Sequence, residues 1–119
     1  MHTIDRDTLL RLADRAAWPS ASLYLPVDHT GVHTDADRIR LRNLIKQAGD
    51  RLVHDGLKQS GADAMLADVA ALAGDDLQWT EGASGLAIFL TASAAEVFWL
   101  DVTMPELMVV GDRFYLRPI

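Results

Sequence analysis

Two histidines in a short polar stretch are the residues best suited to bind a metal. His29 and His33 are four positions apart. Three carboxylates lie beside them, those of Asp28, Asp35 and Asp37. Histidines four positions apart on a helix can share one ion, but Gly31 between them favours a loop, which does not give that geometry. We therefore interpret the stretch as a polar surface loop that leads into a capped helix, and we predict no metal site and no cofactor.

Sequence motifs for covalent catalysis and for phosphate binding are absent. The chain has no cysteine, which excludes disulfides, thiolate metal sites and a cysteine nucleophile. It contains no Gly-x-Ser-x-Gly, and the Gly-Ala-Ser-Gly stretch at 82–85 is typical of a turn before a strand. Neither Lys46 nor Lys58 follows a glycine, so there is no phosphate-binding loop ending in Gly-Lys-Ser/Thr. We expect that the chain is not an enzyme and has no catalytic residues.

Positive charge is concentrated in the first half of the chain. The net charge is −6, and residues 59–112 contain nine acidic residues but no lysine or arginine. A surface that binds phosphates would therefore have to come from the first half. In a helix predicted over 35–53, Arg38, Arg42 and Lys46 lie on one flank of the apolar face and are the candidate nucleic-acid contacts.

The same helix carries Arg40 and Arg51 on the opposite flank of its apolar face. Basic residues that border a buried stripe often cover it with their aliphatic stems while their charges reach water. Such a split arrangement fits solvated flanks better than a single phosphate-binding stripe, so both interpretations of Arg38, Arg42 and Lys46 stay open.

Adjacent aromatic residues indicate a second candidate surface. Phe98 and Trp99 follow one another in a predicted strand, so their side chains must point to opposite faces of the sheet. One of them faces either a second covered face or an exposed patch that would suit a partner or a neighbouring domain. We take this pair as a candidate interaction surface.

The elements that position these residues predict an α/β fold of the α+β type. We expect three helices packed on a mixed, largely antiparallel sheet of about four to five strands, in one domain over 1–119. The predicted helices are a first one that ends before Trp18-Pro19, a second over 35–53, and a third that starts at a capping box at 60–63. The predicted strands cover 21–25, 85–90 and 96–102, with 85–90 and 96–102 forming a hairpin, and one or two further strands are predicted over 107–110 and 113–116.

The N-terminus lacks the basic start and apolar run of a signal peptide, and the apolar stretch at 85–90 is too short to cross a bilayer. We expect a cytoplasmic protein that makes no contact with a membrane.

Five segments together resemble a known family. They are 22–26 (Ser-Leu-Tyr-Leu-Pro), 37–45 (Asp-Arg-Ile-Arg-Leu-Arg-Asn-Leu-Ile), 84–89 (Ser-Gly-Leu-Ala-Ile-Phe), 105–107 (Pro-Glu-Leu) and 110–118 (Val-Gly-Asp-Arg-Phe-Tyr-Leu-Arg-Pro). In this order and spacing they resemble the N-terminal region of the bacterial members of the archaeo-eukaryotic release-factor superfamily, distant relatives of the class-one release factor and of Pelota. The resemblance implies an N-terminal domain of a longer, translation-related protein, with the ribosome or RNA as partner.

The sequence departs from the classical release factors at the residues that read stop codons. It has no Asn-Ile-Lys-Ser stretch and, without cysteine, no Tyr-x-Cys motif. We therefore expect a non-catalytic, release-factor-like domain that does not read stop codons. The alternative is a protein-interaction or structural module that docks on other domains of its own chain.

Overall fold

A computed structural model describes residues 4–14, 17–28, 30, 34–72 and 82–119, without the side chains of Thr34 and Leu72. Three α-helices and four β-strands lie within these ranges. In chain order they are α1 (Arg6–Ala13), β1 (Ser20–Pro26), α2 (Thr34–His54), α3 (Gln59–Leu72), β2 (Gly85–Thr91), β3 (Ala95–Leu100) and β4 (Leu107–Gly111). Within the described ranges no helix combines the length and the apolar character needed to cross a membrane.

The four strands form one sheet in the order β3-β2-β1-β4, and each neighbouring pair is antiparallel. The α+β class is thus confirmed, with three helices and a four-stranded antiparallel sheet. The predicted hairpin is also confirmed, since β2 and β3 pair directly across a short turn. β1 is a central strand between β2 and β4, although β4 is the last strand along the chain.

The two central strands are buried on both faces, which explains their continuous apolar sequences. On one face, alternate residues of β1 and β2 pack under α2 and α3 in the larger core cluster; the strand residues in it include Leu23, Leu25, Leu86 and Ile88. On the opposite face, α1 and the C-terminal segment cover a smaller cluster; its members include Leu12, Tyr24, Phe89 and Phe114.

Helix α2 follows the predicted periodicity. Its buried apolar residues are Leu41, Leu44, Ala48 and Leu52, with Ile45 partly buried beside them. The helix ends in a Schellman arrangement, in which Leu57 N–H bonds to the Leu52 carbonyl at 2.9 Å and Gly56 N–H bonds to the Val53 carbonyl at 3.1 Å. Gly56 has φ of 114°, a conformation that strongly favours glycine.

Helix α1 is capped by Asp5, whose carboxylate accepts a hydrogen bond from Thr8 N–H at 2.8 Å. This backbone hydrogen bond lowers the pKa of Asp5 below its usual range. An aspartate at this position satisfies one of the free N–H groups at the helix start and interacts favourably with the positive end of the helix dipole.

Two predicted boundaries are wrong. Helix α3 begins at Gln59, so Ser60 lies inside the helix and does not cap it; instead, the Gln59 amide donates to Asp63 Oδ1 at 2.9 Å. β3 ends at Leu100, two residues before the predicted end. Leu100 still belongs to the sheet, because Ser84 N–H donates to its carbonyl at 2.9 Å.

Of the one or two further strands predicted over 107–110 and 113–116, the first forms β4, whereas residues 113–116 form no strand. Phe114 is buried, and Tyr115 and Leu116 are partly buried against the same smaller cluster. Their backbone is nevertheless not part of the sheet. It is held by side chains of β1, because Tyr115 N–H donates to Ser22 Oγ at 2.9 Å and the Tyr115 carbonyl accepts from the hydroxyl of Tyr24.

Candidate nucleic-acid interface

Helix α2 places Arg38, Arg42 and Lys46 in a row. They are four residues apart, so neighbouring side chains start about 6 Å apart along the helix axis, on one side of the helix. Arg42 and Lys46 are exposed, whereas Arg38 is half-buried. We call these three residues the basic row.

Arginines on both flanks of α2 pair with carboxylates of the same helix or the turn after it. On the flank opposite the basic row, Arg40 bonds to Asp37 at 3.2 Å and Arg51 bonds to Asp55 at 3.0 Å. In the basic row, Arg38 approaches Asp35 at 3.4 Å. Lys46 makes no ion pair with any residue that the structure describes. Lys46 is therefore the member of the basic row for which the described residues supply no ion-pair partner.

A shallow groove between α2 and α3 lies beside Lys46. Its volume is about 300 Å³, and its lining residues are Ile45, Lys46, Gly49, Asp50, Gln59, Asp63, Leu66, Ala67 and Ala70. The helices approach closely here, since a Cβ at Gly49 would lie 3.2 Å from Leu66 Cδ1. The carboxylates of Asp50 and Asp63 offset part of the positive charge at Lys46. A ligand in this groove would therefore meet both signs of charge.

Asp37 is the buried charged residue whose role sequence reasoning missed. It is only 2% exposed, and its carboxylate accepts the backbone N–H of Asp28 at 2.9 Å in addition to its bond with Arg40. It lies in the first turn of α2, and its bond to Asp28 connects the residue that follows the end of β1 to that turn. The only sequence signal was an acidic residue in a predicted first turn.

His29 and His33, the candidate metal ligands, lie outside the described residues. Asp28, next to them, accepts hydrogen bonds from Thr30 N–H at 3.0 Å and from Thr30 Oγ1 at 2.8 Å, which is a local turn. Across the described ranges, no group of three or more His, Asp or Glu side chains is close enough to hold a metal ion.

Phe98 and Trp99 face opposite sides of the sheet, as a strand requires. Phe98 packs in the smaller cluster, with its ring 5.9 Å from that of Phe89, and Trp99 packs against the larger cluster under the helices. Both are half-buried. Neighbouring Glu96 is bound to Arg11 of α1 at 2.8 Å, which ties the first helix to this outer strand.

Comparisons with known proteins give no family assignment. No protein-family model matches the sequence, and no curated protein shows significant similarity to it.

Proposed function

We propose that this chain is a non-catalytic domain of a translation-related, release-factor-like cytoplasmic protein, and that α2 contacts the ribosome or RNA through the basic row. The family resemblance of five sequence segments supports the translation context. The observation that carries the contact is the basic row itself, with Arg42 and Lys46 exposed one helical turn apart. Closely spaced cations of this kind neutralise successive phosphates of a nucleic-acid strand.

The charge distribution supports the same face. Residues 59–112 have no lysine or arginine, so α3, β2, β3 and β4 present no positive side chain to a phosphate backbone. A negatively charged partner would therefore approach α2 along the basic row rather than along the sheet.

Co-sedimentation of the full-length protein with ribosomes tests the proposal. Reversing the two exposed members, Arg42→Glu with Lys46→Glu, should weaken association at low salt by at least about tenfold. The matched control is Arg6→Glu with Arg117→Glu, which makes the same change in net charge at exposed positions elsewhere. Absence of association, or equal loss in both double variants, would refute a specific contact through α2.

A second candidate function is a module that docks on other domains of its own chain. The observation that favours it is the outer strand β3, where Phe98 and Trp99 are half-buried and Val97 is 36% exposed. Hydrogen exchange of this chain alone and within the full-length protein separates the two ideas. Docking predicts added protection in β3, whereas ribosome contact alone predicts none there.

A further inference from the structure

The outer side of β4 is an unprotected sheet edge. β1 pairs with one side of β4, and no residue in the described part of the chain pairs with the other. Between Leu107 and Gly111 the strand has no charged residue and no proline. Natural edge strands usually carry such residues to prevent further pairing. The other edge strand, β3, does carry one, Glu96.

Backbone N–H and C=O groups of successive strand residues point to opposite sides, and this alternation shows which groups of β4 have no strand partner. Val27 N–H donates to the Ser84 carbonyl at 3.0 Å, so Val27 and alternate residues back along β1 direct their backbone groups toward β2. The residues between them therefore face β4, where Ser20, Ser22 and Tyr24 pair with Gly111, Val109 and Leu107. It follows that Met108 and Val110 direct their N–H and C=O groups away from the sheet.

A shallow cavity of about 270 Å³ runs along this edge, lined by Met108, Val109 and Val110 of β4 and by Arg51 of α2. Arg51 bonds to Asp55 through Nε, which leaves the terminal N–H groups of its guanidinium to bind another acceptor. An extended chain would fit here with its backbone on Met108 and Val110 and one side chain toward Arg51.

A second copy of this chain does not suit the edge. If the β4 strands of two copies paired in antiparallel fashion through the outward groups of both Met108 and Val110, Met108 of one copy would lie opposite Val110 of the other. The same register sets Glu106 opposite the other copy's Asp112, and two-fold symmetry creates this like-charge pair twice. Each copy also carries a net charge of −6. The flanking acids thus oppose self-pairing and favour a basic strand.

We propose that the outer edge of β4 binds an extended segment of another protein as an added antiparallel strand. That segment carries one Lys or Arg opposite Glu106 and a second opposite Asp112, six positions apart, with uncharged residues between them. Asp112 is available for this, because its contact with Arg113 is a 3.6 Å pair between two highly exposed side chains. The surface is distinct from the basic row and does not rest on the proposed function.

A labelled peptide tests the proposal directly. The probe is acetyl-Lys-Thr-Val-Thr-Val-Thr-Lys-amide, whose β-branched residues favour a strand. We expect saturable binding by fluorescence anisotropy, with slowed exchange of the Met108 and Val110 amides and no change at Leu107 and Val109, which already bond to β1. The same peptide with Glu at both ends should not bind. No saturation at about 1 mM of the lysine-ended peptide would overturn the proposal.

A proline substitution separates the backbone contact from side-chain packing. Val110→Pro removes an outward N–H, which an edge strand tolerates, and should weaken binding about tenfold. Val110→Ala keeps the N–H and should bind within about twofold of the wild type. If both variants bind equally, the backbone contact is refuted.

Charge reversal gives a test that does not depend on the fold of the proline variant. Glu106→Lys with Asp112→Lys should abolish binding of the lysine-ended peptide and permit binding of the glutamate-ended one. Glu106→Lys alone should create dimers, since each new lysine then faces Asp112 of the other copy. Sedimentation should show this dimer for the single variant and a monomer for the double variant. A monomeric single variant with unchanged peptide preference would contradict the assigned register.

Discussion

The hydroxyl of Tyr24 donates a hydrogen bond to the backbone carbonyl of Tyr115. The N–H of the same Tyr115 donates to Ser22 Oγ at 2.9 Å. Two side chains of β1, two positions apart and both fully buried, therefore bind both polar backbone groups of one residue in the C-terminal segment. This holds Phe114 against Phe89, with their rings 5.2 Å apart, and closes the sheet face opposite α2 and α3.

Removing either hydroxyl should destabilise the fold. Tyr24→Phe or Ser22→Ala leaves a backbone group of Tyr115 without its partner, which costs about 1–3 kcal/mol of unfolding free energy. Urea denaturation measures this cost. Tyr115→Phe is the control, since only its backbone makes these bonds, and should change stability by less than about 0.5 kcal/mol. An equal effect of all three variants would refute the role of the two hydroxyls.

Stability should fall in alkaline solution because of Tyr24. Burial raises the pKa of its phenol above the usual value of about 10. The folded state therefore keeps a proton that the unfolded state loses. This contribution is fully present below about pH 10 and decreases as pH rises above it, by up to about 1.4 kcal/mol per pH unit. Denaturation between about pH 9 and pH 11 should show a steeper decline for the wild type than for Tyr24→Phe, and parallel curves would argue against it.

Asp37 should matter far more than its neighbour Asp35. Asp37→Ala removes the acceptor of Asp28 N–H and the partner of Arg40, so we expect a loss of about 2–3 kcal/mol. The Asp35 side chain is 96% exposed and 3.4 Å from Arg38, so Asp35→Ala should cost less than about 0.5 kcal/mol. Thermal or urea unfolding of the two variants tests the difference, and similar losses would contradict it.

Two strand glycines should respond differently to alanine. A Cβ at Gly85 would lie 2.3 Å from the Val102 carbonyl oxygen and 2.7 Å from Met104 Cγ, whereas a Cβ at Gly111 would have no atom within 4 Å. Gly85→Ala should therefore destabilise the fold by about 2 kcal/mol or more, and Gly111→Ala by less than about 0.5 kcal/mol. Denaturation curves check this, and a tolerated Gly85→Ala would mean that the 101–104 segment can move away.

Salt dependence tests the contact of α2 with RNA. The three cations of the basic row would each contact a phosphate of single-stranded RNA. The logarithm of the association constant should then fall with the logarithm of the salt concentration, with a slope of about −2. Arg42→Glu with Lys46→Glu should flatten that slope, and Arg6→Glu with Arg117→Glu should not. A slope near zero for the wild type would refute the phosphate contacts.

The sequence predicted the elements that carry a clear apolar pattern, either a helical period or a continuous run. The buried arc of α2 and the apolar runs of β1 and β2 were visible because each element is buried along its whole length. Phe98 and Trp99 were placed on opposite faces by strand geometry alone. The alignment of the basic row could also be predicted from the sequence, because residues four positions apart on a helix lie on the same side.

The sequence did not predict features that depend on contacts between separate segments of the chain. Segment 113–116 has the apolar and aromatic residues of a strand, but its backbone bonds go to side chains of Ser22 and Tyr24. Asp37 lies in the first turn of the predicted helix, but its carboxylate is buried and accepts the N–H of Asp28 from outside the helix. The place of β4 beside β1 follows from packing across the whole chain, so no local pattern indicated it.

The position of β1 in the sheet has a consequence for folding during synthesis. The Tyr24–Tyr115 bond joins residues 91 positions apart, and β1 is the first strand of the chain. At translation rates of about 5–20 residues per second, β1 leaves the ribosome about 5–20 s before the segment that completes its surroundings. Such non-local pairing slows folding, and for those seconds the apolar faces of β1 need protection from aggregation. The first strand to be made is the last to acquire all of its partners.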